Sequence, residues 1–424
     1  MSDDVDSYAV LLNDELVGTL WIEDDAPTFR FAESYCQHAH RPVLSLSFEE
    51  EPPTAEHVFR EMDGRLPRFF RNLLPEGQLL EIYDRQIQRL RHREFELLGL
   101  IGEDLPGAVR VVRDPLVASE PPTPAPSAHR FAFGLAGVQF KLQAVRAESR
   151  LTIPARGRRG QFIAKFGAPA FPELVLNEWT MLMWAKSCEL DVPAFQLRQS
   201  SEFDDPSGVI AEAFEGQVLL VERFDRKGEA RLHQEDFAQI LSLHPEQKYD
   251  YAVDDDVNYA TIGNIISAYC GPRDRTEYVR RLVFMVLSGN CDAHTKNWAL
   301  MHADRPTIER LNASVIEEQS LRQRLAPLYD VVSIIAYPGL FPQRQLALSL
   351  SGELRLDAIT REHLLDLCVR IGADREEAST VITNFCSLAR ERWAELRDRA
   401  EVPARVRRAI DENLALCASP KRGL

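Results

Sequence analysis

The sequence predicts an α+β chain: a small strand-rich N-terminal subdomain, then a two-lobed body with strands around one helix in its first lobe and mostly helices in its second. Three observations predict it. Apolar runs of strand length recur up to Phe224, and helical periodicity dominates from about Gln234 onward. Between Pro115 and Ser127, prolines at 115, 121, 122, 124 and 126 mark an extended linker and the clearest boundary in the chain. The expected division is therefore 1–112, a linker over 113–128, a first lobe over 129–226 and a helical lobe over 227–424.

In order, Tyr8–Leu12 and Leu16–Ile22 flank Asn13-Asp14-Glu15 as a hairpin, and Thr28–Ala32 is a third strand. Phe69-Phe70-Arg71-Asn72-Leu73-Leu74-Pro75-Glu76-Gly77 leads into a helix reaching about Leu98, and Ile101–Val109 reads as a loop entering a strand. Beyond the linker, His129–Ala144 reads as a strand pair broken at Gly134 and Gly137, and Gln161–Phe166 as a strand with one charge inside it. Leu176–Cys188 has Leu176, Trp179, Thr180, Met183 and Trp184 on one face of a helix. Gln217–Phe224 is an apolar strand, and Tyr278–Ser288, Glu362–Ile371, Arg375–Ala400 and Ala404–Leu416 read as helices.

The composition is that of a water-soluble globular chain: 424 residues, 45% hydrophobic and 27% charged. No apolar run approaches a membrane span, and the acidic start Met1-Ser2-Asp3-Asp4 does not read as a signal peptide. Seven scattered cysteines without a Cys-x-x-Cys pair disfavour a disulfide scaffold or zinc site and fit a reducing cytoplasm. Cys291 reads as a buried small residue rather than a nucleophile. A net charge of −15 opposes direct, tight binding to nucleic acid. The basic runs Arg156-Gly157-Arg158-Arg159 and Lys421-Arg422 read as solvated surface.

Chemistry concentrates at Asp292-Ala293-His294-Thr295-Lys296-Asn297 and the later Leu328-Tyr329-Asp330. A carboxylate can take the proton of an attacking hydroxyl, and an amide oxygen with a second carboxylate can hold Mg²⁺ against nucleotide phosphates. Protein kinases separate their catalytic-loop Asp and Asn by the same interval, but here Gly289-Asn290-Cys291 replaces the His-Arg lead-in. Taken singly, Asp292 could be a helix cap and Tyr329-Asp330 a turn. Upstream, Leu135-Ala136-Gly137-Val138-Gln139-Phe140-Lys141 has a glycine that lets backbone amides approach phosphates. Lys165 lies in an apolar strand, Glu178 on the next helix, and Glu222-Arg223-Phe224 where a hinge would meet adenine. In isolation Lys165 reads as an edge lysine, Glu178 as a solvated face and Glu222–Phe224 as a strand end. Their order matches the nucleotide-binding lobe of a kinase.

Phe70–Glu76, Ile101–Val109, Ala136–Lys141, Asn177-Glu178, Val221–Arg226, Arg231–Asp236 and Asp292–Asn297 together resemble the motifs of the HipA toxin kinases, bacterial serine/threonine protein kinases of toxin–antitoxin systems. The resemblance implies a small N-terminal subdomain on a two-lobed protein-kinase-like body. It implies ATP and Mg²⁺ as cofactors, Asp292 as the catalytic base, Asn297 and Asp330 as metal ligands and Lys165 as the phosphate-binding lysine. Ala136, Gly137, Val138, Gln139, Phe140 and Lys141 correspond to the phosphate loop, and Glu222, Arg223 and Phe224 to the adenine hinge. Glu178 corresponds to the partner of Lys165. His294, Lys296 and Tyr329 fall in nucleotide-contacting stretches. It further implies a protein acceptor, in the family an aminoacyl-tRNA synthetase, a small helix-turn-helix antitoxin of the HipB kind, and DNA contact only through that antitoxin. Gly134 stands where many members carry a serine whose phosphorylation shuts the kinase off. Other readings of the same residues are a small-molecule or lipid phosphotransferase and a non-catalytic antitoxin-binding corepressor.

Overall fold

The hairpin at the N-terminus forms as its pattern predicts. β1 (Ser7–Leu12) and β2 (Glu15–Glu23) pair antiparallel, closing at Leu12↔Glu15. Asn13 takes a left-handed φ of 56°, a conformation its short polar side chain tolerates. In this computed structural model, residues 7–51, 53–76, 92–113, 141–147, 150–152, 160–168, 171–204, 216–249, 257–303, 323–340 and 342–424 are described. The chain divides into two compact units. The first comprises 1–168, 198–245 and 302–314; the second comprises 169–197, 246–301 and 315–424.

In the first unit, β3 (Ala26–Phe31), β4 (Val58–Arg60) and β5 (Val109–Arg113) complete an antiparallel sheet in the order β4-β3-β2-β1-β5. Its core is aromatic: Phe29 meets Phe31 edge-on at 4.9 Å and Phe70 at 4.8 Å between ring centroids. Burying each such ring stabilises the unit by roughly 1.5–3 kcal/mol. The helix expected to run to about Leu98 is described over Arg93–Ile101, and the part from 77 to 91 lies outside the described residues. So do the linker from residue 114 onward and the stretch 129–140 of the expected strand pair.

A second sheet follows. β6 (Lys141–Ala147), β7 (Arg150–Thr152), β8 (Phe162–Lys165), β9 (Phe195–Gln199), β10 (Phe203–Asp204) and β11 (Gln217–Glu222) lie in the order β10-β7-β6-β8-β11-β9.

Charged residues join these pieces of the first unit. Asp104, in the loop entering β5, accepts from Arg226 at 2.6 Å and Arg223 at 3.2 Å. Asp225 accepts from Arg223 at 2.9 and 3.0 Å, Arg226 at 2.8 Å and the Gly107 amide at 2.8 Å. Burial by itself raises the Asp225 carboxyl, but Arg223 and Arg226 overcome it and hold it below the ordinary carboxylate range. The adjoining motif does similar work. The His233 Nε2–H donates to the Leu44 carbonyl at 2.8 Å, which leaves Nδ1 to accept from the Ala108 amide at 3.4 Å. Glu235, fully buried, accepts from Ser45, the Leu46 amide and His302.

The second unit is built on the helices Leu174–Ser187, Tyr259–Tyr269, Pro272–Ser288, Arg361–Arg370, Arg375–Leu396 and Ala404–Cys417. Local sequence sets their ends: Asn258, Thr360 and Asp374 cap first turns, and Pro272 opens its helix without leaving an amide unpaired. Trp184 is fully buried, donates from Nε1 to the Ala389 carbonyl at 2.8 Å, and packs on Phe284 and Trp393.

The helix over 174–187 falls in the second unit and residues 227–245 in the first. Two readings of the sequence are refined by the structure. That helix is buried nearly all round, with Leu174, Val175, Asn177, Glu178, Met181 and Leu182 inside and Trp179 and Met183 only half-buried; a helix enclosed by other helices has no solvent face to display. The region after Gln234, mostly helical, also holds the strands Ala299–His302, Gln323–Leu325, Gln345–Leu350 and Glu353–Arg355. Among the described residues, no helix is long and apolar enough to cross a membrane.

His233 makes acid stability testable. Burial, with His302 beside it, pushes its pKa down to about 3, against roughly 6.5 in an unfolded chain. Its neutral form is the folded one. Stability from this residue is complete above about pH 6.5 and declines as pH falls towards 3, at up to about 1.4 kcal/mol per pH unit. Urea melts at pH 8, 6 and 5 are expected to show this decline, and His233→Gln, which cannot titrate, is expected to flatten it.

Candidate active site

In the second unit the acidic loop follows a helix terminus. Pro272–Ser288 ends at Gly289, whose φ of 68° turns the chain out of the helix. A Cβ there would run into the Ile335 side chain. The Asp292 amide donates to Asn290 Oδ1 at 3.1 Å, and the Asp292 carbonyl accepts from the His294 amide at 2.8 Å and Asn297 Nδ2 at 2.7 Å. Trp298 Nε1 and Tyr259 Oη both donate to the Ala293 carbonyl at 3.2 Å. The turn is thus fixed by side chains on both of its flanks, while the Asp292 carboxylate stays half-exposed.

Asp330 is brought to this loop through its neighbours. Tyr329 Oη donates to the Lys296 carbonyl at 2.8 Å, the Ile334 amide to the Gly289 carbonyl at 3.0 Å, and Ser333 Oγ to the Ser288 carbonyl at 2.7 Å. Asp330 itself has a φ of 57°, strain that a residue other than glycine keeps only where its surroundings hold it. Asn177, fully buried, clamps the same segment: its Oδ1 accepts from the Ser333 amide at 2.9 Å and its Nδ2 donates to the Ser333 carbonyl at 3.0 Å. Sequence reasoning singled out Glu178 and passed over the role of Asn177, although a polar residue inside an apolar helix was the available signal. Glu178 is fully buried in this unit.

The metal-ligand expectation can be tested on atoms. Asn297 spends its Nδ2 on the Asp292 carbonyl, so Oδ1 is the atom left for a cation, and Asp330 adds a carboxylate. Among the described residues no group of three or more His, Cys, Asp or Glu could hold a metal. A site completed by nucleotide phosphates needs no such group. His294 and Lys296 are buried in the turn. Cys291 is buried, and its thiol is pushed up to about 12, as an inert core residue's would be.

The nucleotide-side residues of the first unit fare unevenly. Lys141 and Lys165 are direct partners across β6 and β8, on one face of the sheet, and are 4% and 5% exposed. Two like charges set directly opposite each other on a sheet disfavour pairing, so this register is one that apolar packing alone does not explain. Ala136 to Phe140 lie outside the described residues. Of the expected hinge, Glu222 is exposed and Phe224 half-buried. The Arg223 guanidinium is held by Asp225 and Asp104, and its amide donates to the Gln161 carbonyl at 2.9 Å.

Comparison with known proteins gives the family. Residues 8–112 match the HipA N-terminal domain and 133–393 the HipA-like C-terminal domain, so the chain belongs to the HipA family. Y4dM of Sinorhizobium fredii, a protein named as a kinase, is 33% identical over 416 residues, spanning 95% of each chain. The serine/threonine-protein kinase toxin HipA of Shewanella oneidensis is 23% identical, over 89% of this chain and 86% of its own. The structure resembles that of Shewanella oneidensis HipA solved with HipB and its operator DNA, with a TM-score of 0.71 at 21% identity, covering 97% and 96% of the two chains.

Gly289→Ala tests how the loop is seated. Left-handed strain and the encounter with Ile335 are expected to cost on the order of 1–3 kcal/mol. A urea melt within error of wild type would show that the helix terminus tolerates a side chain there.

Proposed function

We propose that this protein is a HipA-like serine/threonine protein kinase, transferring the γ-phosphate of ATP to a protein hydroxyl, and that a small helix-turn-helix antitoxin restrains it. The observation that carries the reading is the loop at the end of Pro272–Ser288, which holds Asp292, Asn297 and the Asp330 segment through one set of hydrogen bonds. Asp292 takes the proton of the acceptor hydroxyl as its oxygen attacks the γ-phosphorus, and ADP leaves. Asn297 Oδ1 and Asp330 are the ligands for Mg²⁺, which when bound neutralises phosphate charge. Lys141 and Lys165, paired on one face of the sheet, hold the phosphates. Backbone amides of 136–140 cradle them, and the backbone at Glu222 and Phe224 meets the adenine. The acceptor is an aminoacyl-tRNA synthetase by analogy with the family. Contact with DNA runs through the antitoxin, in keeping with the −15 charge, and seven unpaired cysteines suit a reducing cytoplasm.

Asp292→Asn is expected to lower phosphoryl transfer by roughly 10²–10⁴-fold while ATP still binds. Asp330→Ala is expected to lose Mg²⁺-dependent nucleotide binding by calorimetry. Near-wild-type turnover in the first or unchanged Mg·ATP affinity in the second removes that residue from its role. Phosphate appearing on metabolites or lipids rather than on lysate proteins would redirect the reading to a different acceptor.

Gly134 offers no hydroxyl, and 130–141 contains no Ser, Thr or Tyr. Wild type is therefore expected to keep its activity through prolonged incubation with ATP, whereas Gly134→Ser decays. Intact mass and peptide mapping check it; phosphate on Thr123 or Ser127 would move the control point into the linker.

A further inference from the structure

Within the second unit a tyrosine occupies the proton-accepting carboxylate. Tyr249 Oη donates to Asp292 Oδ1 at 2.6 Å, the length of a charge-assisted O–H···O⁻ bond. The ring is seated to make that bond. It stands edge-on to His294, with centroids 4.9 Å apart and planes at 88°, and the Lys248 ammonium lies 5.5 Å from its centroid. Thr295 Oγ1 donates to the Lys248 carbonyl at 3.4 Å, tying the backbone before Tyr249 to the turn that carries Asn297. Tyr249 and Asp292 are both half-buried, so the phenol covers a carboxylate that solvent would otherwise reach.

We propose that Tyr249 is a specificity-determining residue of the transfer reaction: its phenol stands where the acceptor hydroxyl must bind, and an acceptor reaches Asp292 only by displacing it. The inference rests on Asp292 being the base. A general base for phosphoryl transfer binds its acceptor through the bond observed here, a hydroxyl donating to one carboxylate oxygen. A hydrogen bond to a charged group is worth enough to shift such a competition by about ten-fold or more. A protein acceptor that makes further contacts displaces the phenol by swinging it about its side-chain torsions. Water makes no further contacts and does not, so the free enzyme is protected from spending ATP on hydrolysis.

Tyr249→Phe keeps the ring against His294 and removes only the hydroxyl. Two measurements on the full chain test the proposal. The first needs no catalysis: carbodiimide with glycine ethyl ester labels exposed carboxyls, and peptide mapping follows Asp292. Labelling of Asp292 is expected to quicken about ten-fold in Tyr249→Phe, with carboxyls elsewhere unchanged. The second is hydrolysis of labelled ATP without a protein acceptor, in which water attacks the γ-phosphorus, its proton passes to Asp292 and ADP leaves. It is expected to rise by a similar factor, and Asp292→Asn is expected to abolish the rise in the double variant. Unchanged labelling overturns the proposal, because the phenol then covers nothing. Faster labelling with slower ATP turnover also overturns it, since Tyr249 then orients the base instead of competing for it. Full turnover in Asp292→Asn alone defeats the assignment of the base, and this proposal with it. A dead Asp292→Asn beside an unchanged Tyr249→Phe defeats only the proposal.

Discussion

The first unit depends on a buried ion cluster that no single segment of sequence contains. Asp104 and Asp225 sit among Arg223, Arg226 and Arg231, so the loop entering β5 and the strand end after β11 are fastened by charges already withdrawn from water. A buried ion pair is weak evidence for added stability, because desolvation offsets much of the attraction. Its geometry, however, is exacting. A planar guanidinium with five donors, meeting carboxylates and the Leu105 and Gly107 carbonyls, tolerates one arrangement of those loops. The neighbouring His233 and Glu235 extend the same logic to the segment at Leu44–Leu46.

This accounts for what was legible beforehand. Apolar runs bounded by a turn signal, such as β1 and β2 around Asn13, and helices with strong caps, such as Arg375–Leu396, announce themselves through composition and end residues. The Asp292–Asn297 motif was legible because its chemistry demands residue types at fixed spacing within one turn. The charged motifs at 221–226 and 231–236 were visible as motifs but not in purpose. Asp104, the partner that ties Arg223 and Arg226 to the N-terminal part, lies more than 100 residues away, and an arginine followed by an aspartate looks alike in a hinge and in an ion cluster. The burial of Glu178 and the clamp at Asn177 were illegible for the same reason. A polar group inside an apolar helix declares that it has a partner without declaring which one.

The two units solve the problem of unlike charge differently. In the first, the lysines at 141 and 165 are set side by side on a sheet face, a rigid platform whose spacing the strand register dictates. In the second, the loop is short, and its backbone is held by hydrogen bonds from Asn297 and the His294 amide to the Asp292 carbonyl and from Tyr329 to the Lys296 carbonyl. The Asp292 carboxylate is engaged by Tyr249 and stays half-exposed. Asp330 in the left-handed region is the local cost of this arrangement, and glycine at 289 takes the same region without one.

The discontinuity of the units bears on the order in which the chain is completed during synthesis. In the first unit Glu235 meets Ser45 and Leu46, made long before it, and His302, made after it. The second needs Asn413, whose Nδ2 donates to the Val286 and Leu287 carbonyls at 2.9 Å and so closes the terminus from which the acidic loop departs. These two carbonyls therefore lack that partner until residue 413 has been synthesised, more than 120 residues after the helix they end.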